Sequence, residues 1–320
     1  MTSFAIGCLV QWYEVDIVEE YIDSLADSID FYDKENVTVD VLLTVNQELE
    51  KANSPERLNY CKEKINEIVR TRLKGYKLNF STTVELVTIA DYRREFNDKY
   101  CDSVDVLIWG ESDMLVPKQA FQALNSLHSN VNTSKYLATF SICKMWDDSW
   151  KPLEHVEFTD KPFIEGDTQN WWSLRYTMSK EEMNAFNDKT QDLEVTLIKP
   201  HKYNGCGLVI SSEVIRSGVN IPKSVFFIHE DTAFMLMTQK VLGNIPQYHF
   251  KNLLVVHNRK HPQKRKFIKG EENVDKTDTG ALRKVHNWYQ KANKMCEQNC
   301  YSLFNPDYKS FTWEDVFTEE

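Results

Sequence analysis

The stretch Val104-Asp-Val-Leu-Ile-Trp-Gly-Glu-Ser-Asp-Met-Leu-Val-Pro117 reads as a buried strand that stops at Gly110 and delivers two carboxylates, Glu111 and Asp113, at its carboxyl end. Downstream of it, Ala120, Phe121, Leu124 and Leu127 recur at helical spacing, and Tyr136–Ile142 returns to a strand. Upstream, the apolar run Phe4–Val10 passes into Glu14–Phe31, where Ile17, Val18, Tyr21, Ile22, Leu25 and Ile29 mark one helical face. Val37–Val45 is a second strand rich in β-branched residues. Ser54-Pro55-Glu56 then supplies an N-cap, a first-turn proline and an acid at the positive end of a helix. That helix carries Leu58, Cys61, Ile65, Ile68, Val69 and Leu73 on one face, and Glu85–Ile89 is expected as the third strand. Strands alternating with helices predict an α/β fold, a mostly parallel central sheet with helices on both faces. In such sheets a ligand crevice opens beyond the carboxyl ends of the strands.

From about Lys144 to Met178 the periodicity is lost and tryptophan, proline and acids dominate, which predicts an irregular insertion over the sheet rather than a tether. Ser179-Lys-Glu-Glu182 is a capping box that restarts a helix. A strand at Leu193–Ile198, a Gly205-Cys-Gly207 turn into Leu208–Ile210, a helix from near Glu230 to Gly243 and a strand at Leu253–Val256 follow. The tail from Thr279 reads as helical, with Leu282, Val285, Tyr289 and Cys296 on one face.

With 320 residues, 42% of them apolar and 12% aromatic, the chain has enough material for a sizeable core. Ten glycines and nine prolines exclude collagen-like and low-complexity classes. Lys plus Arg number 38 against 48 Asp plus Glu, and the net charge of −10 argues against a protein that coats nucleic acid indiscriminately. Seven scattered cysteines fit reduced thiols better than a disulfide framework or a zinc ribbon. The first ten residues lack a basic leader region and no apolar run approaches 18 residues, so neither a signal peptide nor a membrane span is expected, and a cytoplasmic location is.

Two hard oxygen ligands at a strand end can hold a divalent cation against a diphosphate, although an acid-x-acid triplet alone also suits a solvated turn. Glu230 and Asp231, in the sequence Phe226-Phe-Ile-His-Glu-Asp231, open a helix. There they serve either as dipole partners or as a general base facing the crevice. His257 ends the Leu253–Val256 strand, where an imidazole is either structural or the completion of a carboxylate metal site.

Taken in order, Glu111-Ser-Asp113, Gly205-Cys-Gly207, Glu230-Asp231, Gly243-Asn-Ile-Pro246 and Val255-Val-His257 resemble the GT-A nucleotide-sugar glycosyltransferases, in particular their family-2-like inverting group, over about residues 4 to 260. The resemblance implies a Rossmann-like GT-A fold with an irregular acceptor-side insertion and a helical C-terminal tail. It divides the chain into a catalytic region 1–260, whose halves 1–143 and 144–260 take the nucleotide sugar and the acceptor, and an extension 261–320. It assigns Asp113 and His257, with Glu111, to Mn²⁺ or Mg²⁺, and Asp231, beside Glu230, to the catalytic base. Gln11, Tyr13, Glu14, Asn46, Asp91, Arg94, Glu111 and Ser112 become contacts of a nucleoside diphosphate sugar, with a UDP-sugar expected. Asp91, Arg93 and Arg94 look like the family's base-and-phosphate segment, while Glu111 departs from the usual Asp and the second strand ends in Thr44, Asn46 and Gln47 rather than acids.

The run from Arg259 to Lys269 holds Arg259, Lys260, Lys264, Arg265, Lys266 and Lys269 with no acid, and suits a loop closing on the donor diphosphate, a solvated surface or a polyanionic acceptor. Trp171 and Trp172 suit an acceptor platform or core packing. The acceptor is therefore expected to be a glycan or a hydroxymethylated DNA base, the latter as in phage enzymes, which would place the protein in the host cytoplasm. No segment demands a protein partner. A metal-dependent phosphohydrolase or nuclease using Glu111, Asp113 and His257, and a GT-A-like scaffold that binds without catalysis, are the alternatives from other classes.

Overall fold

Phe4, Ile6, Cys8 and Val10 alternate with Ala5 and Leu9 along the first strand, and each set is sunk in its own core. In the computed structural model, which describes residues 1–143, 148–158, 178–199, 205–257 and 287–318, that strand lies inside an eight-stranded sheet. The elements run β1 (Phe4–Gln11), α1 (Val18–Tyr32), β2 (Val37–Thr44), α2 (Pro55–Arg72), β3 (Lys77–Thr83), α3 (Ile89–Tyr100), β4 (Val106–Trp109), β5 (Met114–Leu115) and α4 (Ala120–Asn130). They continue with β6 (Leu137–Ser141), α5 (Lys180–Asn187), β7 (Val195–Leu197), β8 (Leu208–Ser211), α6 (Ser212–Arg216) and α7 (Glu230–Leu242). The last are β9 (Gln247–Leu254), β10 (Val256–His257), α8 (Asn287–Tyr301) and α9 (Trp313–Phe317).

The strand order is β3-β2-β1-β4-β8-β6-β9-β7. β3, β2, β1 and β4 pair in parallel, as do β6 and β9, while β8 and β7 run against their neighbours. Helices α1, α2 and α4 cover the face that receives Phe4, Ile6, Cys8 and Val10, and α3, α6 and α7 cover the other. The expected three-layer α/β arrangement is what the chain forms. Each fully buried side chain of this kind contributes roughly 1.5–3 kcal/mol of transfer free energy, so a sheet buried on both faces is the main source of cohesion.

Local signals account for most boundaries. Ser54 Oγ accepts from the Arg57 amide and Pro55 occupies the first turn of α2, and Ser179 and Glu182 form the reciprocal cap of α5. Three expectations shift. The third strand is Lys77–Thr83, not Glu85–Ile89: as an edge strand with partly exposed residues it needs no continuous apolar run. Glu85–Ile89 instead leads into α3, whose N-cap Thr88 and N3 residue Asp91 form a capping box. The helix expected from Glu14 starts at Val18, because Trp12–Glu14 first makes a short 3₁₀ turn with buried Glu14 accepting from the Gln11 amide at 2.9 Å. The last long strand begins at Gln247, six residues before the expected start at Leu253.

All seven cysteines are free thiols. Among the described residues, no helix is long and apolar enough to cross a membrane.

Candidate active site

The carboxyl ends of β1, β2 and β4, the loop before α3 and the start of α7 surround an open cleft with a cavity volume of about 270 Å³. Sharp chain reversal at the end of β4 is possible because residue 110 is glycine. A Cβ there would lie 2.4 Å from Tyr21 Oη and 3.0 Å from the Gly7 carbonyl, and the Gly110 amide donates to that carbonyl at 2.8 Å. Past this turn, β5 pairs antiparallel with β10 so that Met114 faces His257 in register. The pairing carries the imidazole to the acid-x-acid segment, whose Asp113 is 144 residues away in sequence. His257 Nε2 lies 3.3 Å from Asp113 Oδ1 and 3.5 Å from Glu111 Oε2.

Two adjacent ligands of an octahedral divalent ion at about 2.1 Å sit about 3 Å apart, and each of the two spacings from His257 Nε2 is of that order. Carboxylate oxygens suit Mg²⁺ or Mn²⁺, while the imidazole nitrogen also suits Zn²⁺ and Fe²⁺. Among the described residues, the grouping whose ligand atoms all lie within 4.8 Å of one another is Glu111, Cys206 and His257. Its thiol is a softer donor than the carboxylates.

Glu111 is joined to the start of α7 through Arg93, which is 1% exposed. Arg93 Nη2 donates to Glu111 Oε1 at 2.7 Å and to the Gly205 carbonyl at 2.9 Å, while Nη1 pairs with Glu230 Oε1. The guanidinium also stacks 4.8 Å above the Trp109 ring. A Cβ at position 205 would meet Nη1 at 2.7 Å, so glycine there admits the cation. A buried guanidinium between two carboxylates is compensated on both sides, the condition under which such a charge is tolerated in an interior.

His229, just ahead of α7, has φ 66°, a left-handed conformation that non-glycine residues rarely adopt. Its Nε2 lies 3.2 Å from Asn293 Oδ1, so α8 braces the turn that aims Glu230. Burial pushes the Glu230 carboxyl up, to about 7, against the opposing pull of Arg93. Asp231, next in the chain, accepts from the Thr232 amide and stands close enough to Glu230 and Arg93 to influence both charges.

No protein-family model and no curated protein sequence matches the chain. Solved structures do follow its path. S. aureus TarS, residues 1–349, superposes with a TM-score of 0.48 at 9% identity over 95% of this chain and 72% of that one. The same fragment in complex with UDP-GlcNAc gives 0.48 at 9% over 95% and 76%. Mycobacterium tuberculosis glucosyl-3-phosphoglycerate synthase with Mn²⁺, UDP and phosphoglyceric acid gives 0.45 at 12% over 93% and 78%.

Of the residues singled out from sequence, Gln11, Tyr13, Glu14, Asn46, Glu111, Ser112, Asp113, Glu230 and His257 all line the cleft. Asp91 and Arg94 do not. Asp91 is held by Thr88, and Arg94 spans from Asp91 to the carbonyls of Ile221, Pro222 and Val225, because positions 91 and 94 fall on the side of α3 that faces the 221–225 loop. Asp231 is outside the lining as well. Trp171, Trp172, Arg259, Lys260, Lys264, Arg265, Lys266 and Lys269 lie outside the described residues.

The bridging role of Arg93 was not assigned from sequence. Its signal was there: Ala90, Arg93, Asn97 and Tyr100 form an i, i+3, i+7, i+10 stripe, so the arginine sits on the core face of its helix and requires buried partners. Trp288 and Tyr289 were also missed as site residues. The tail helix does not trail away, since it packs Trp288 and Tyr289 against Phe227, with ring centroids 5.7 and 5.6 Å apart, and both side chains line the cleft.

Proposed function

We propose that the chain is a GT-A-type glycosyltransferase that moves a sugar from a nucleoside diphosphate, with UDP as the nucleotide, to an acceptor hydroxyl with inversion. The observation that carries this reading is the convergence of Glu111, Asp113, His257 and Glu230 on one cleft, with Arg93 pairing Glu111 to Glu230 and Asp231 next in the chain. Asp113 and His257, with Glu111, would hold a divalent cation, which supplies charge neutralisation for a departing diphosphate. The segment 1–143 provides most of the donor side through Gln11, Tyr13, Glu14, Asn46 and Ser112.

In this reading Arg93 fixes the Glu111 carboxylate so that one oxygen is committed to the guanidinium and the other faces His257. Glu230 is tied to Arg93 and acts through it, as a positioning residue. Asp231 takes the proton of the acceptor hydroxyl: its carboxylate follows Glu230 at the same helix start and stands outside the Arg93 ion pair. The C1–O bond to the diphosphate breaks as the acceptor oxygen attacks from the opposite face, and the proton leaves on Asp231.

Incubating the protein with a panel of nucleotide sugars and Mn²⁺ tests this directly. Slow, donor-dependent release of nucleoside diphosphate is expected. Release of phosphate without any sugar donor would favour a phosphohydrolase, and binding without turnover would favour a non-catalytic scaffold.

A further inference from the structure

The cleft lining carries the acids Glu14, Glu50, Glu111, Asp113 and Glu230, yet one part of it is aromatic and uncharged. It is built by Trp288 and Tyr289 from the start of α8, backed by Phe227. Phe227 stands three residues before Glu230, and the His229–Asn293 contact ties the same helix to the same turn. The aromatic wall is therefore held in place by the elements that aim Glu230, and it shares one cleft with Asp113 and His257.

A ring bonded to the terminal phosphate of a diphosphate held at Asp113 and His257 extends within this same cleft. A pyranose presents a face of C–H bonds that complements the negative face of an aromatic ring, and rim hydroxyls that donate to carboxylates. We propose that Trp288 and Tyr289 form the platform for the pyranose ring of the donor, so that the C-terminal helix reads the sugar while the β1 and β2 ends read the nucleotide. This rests on the glycosyltransferase reading, and the test separates the two.

Calorimetric titrations of UDP and of UDP-glucose, UDP-galactose and UDP-GlcNAc, each with Mn²⁺, are compared for the wild type, Trp288→Ala, Tyr289→Ala and Tyr289→Phe. The platform predicts that both alanine variants hold UDP within about twofold of wild type while losing about tenfold or more in affinity for whichever UDP-sugar the wild type binds best. Tyr289→Phe keeps the ring and should keep the sugar increment. Because both rings pack on Phe227, thermal melting accompanies each variant, and the alanine variant that melts like the wild type carries the test. Equal weakening of UDP and UDP-sugar would reassign the wall to the nucleobase and overturn the proposal. Unchanged affinities for all ligands would also overturn it. A wild type that binds neither UDP nor any UDP-sugar would remove the glycosyltransferase reading itself.

Discussion

Arg93 Nη2 lies 2.7 Å from Glu111 Oε1, and this contact joins the acid after β4 to the start of α7, because Nη1 of the same guanidinium pairs with Glu230. The stacking of that guanidinium on Trp109, at the last position of β4, ties the ion-pair triad to the rigid sheet.

Removing the bridge should cost stability. Arg93→Met leaves two acids facing a buried site without compensation, and about 3–5 kcal/mol of loss is expected in urea unfolding. Adding Glu230→Gln should return part of it, since one uncompensated charge disappears. An Arg93→Met variant as stable as wild type would mean that the triad holds nothing together.

Stability should depend on pH through Glu230. Its carboxyl is raised from 4.5 to about 7 by burial, so between those values the folded state binds a proton that the unfolded state has released. This contribution is fully present below about pH 4.5 and is lost as pH rises toward 7. Melting temperatures of wild type minus those of Glu230→Gln, which cannot titrate, should decline across that window and flatten above it.

Catalysis should depend on Asp231 more than binding does. Asp231→Asn should lower turnover about 10²- to 10⁴-fold while leaving UDP affinity near wild type. The readout is single-turnover rate beside calorimetric affinity. Near-normal turnover would move the base elsewhere, with Glu230 the first candidate because it faces the cleft.

The turn at Gly110 should tolerate no side chain. Gly110→Ala pushes a methyl into Tyr21 Oη and the Gly7 carbonyl, and about 1–3 kcal/mol of destabilisation is expected, as for other overpacked sites. Tyr21→Phe removes the hydroxyl at 2.4 Å and should recover part of the loss, leaving the backbone clash at 3.0 Å. Denaturant melts of the two single variants and the double variant measure both parts.

Much of the frame was legible in the sequence because central strands must be apolar on both faces. Phe4–Val10, Val37–Val45 and Val104–Trp109 each announce a strand covered by helices on two sides. β3 was missed for the converse reason. At the sheet edge, Lys77-Leu-Asn-Phe-Ser-Thr-Thr83 needs little apolar content, and the more apolar Leu86, Val87 and Ile89 nearby line the cleft instead. The residues facing the cleft were largely found by following strand ends. The bridging arginine and the aromatic wall were not, since their roles follow from contacts with residues more than 50 positions away in sequence: Arg93 with Glu230, and Trp288 with Phe227.

The central claim is that Asp113 and His257 hold one cation beside a proton-accepting acid. Its most direct test is Mn²⁺ binding in the presence of UDP, followed by electron paramagnetic resonance, for wild type, Asp113→Asn and His257→Ala. The account predicts a bound Mn²⁺ signal in the wild type that requires at least about 10- to 100-fold more metal in either variant. Equal Mn²⁺ occupancy in all three proteins would contradict it.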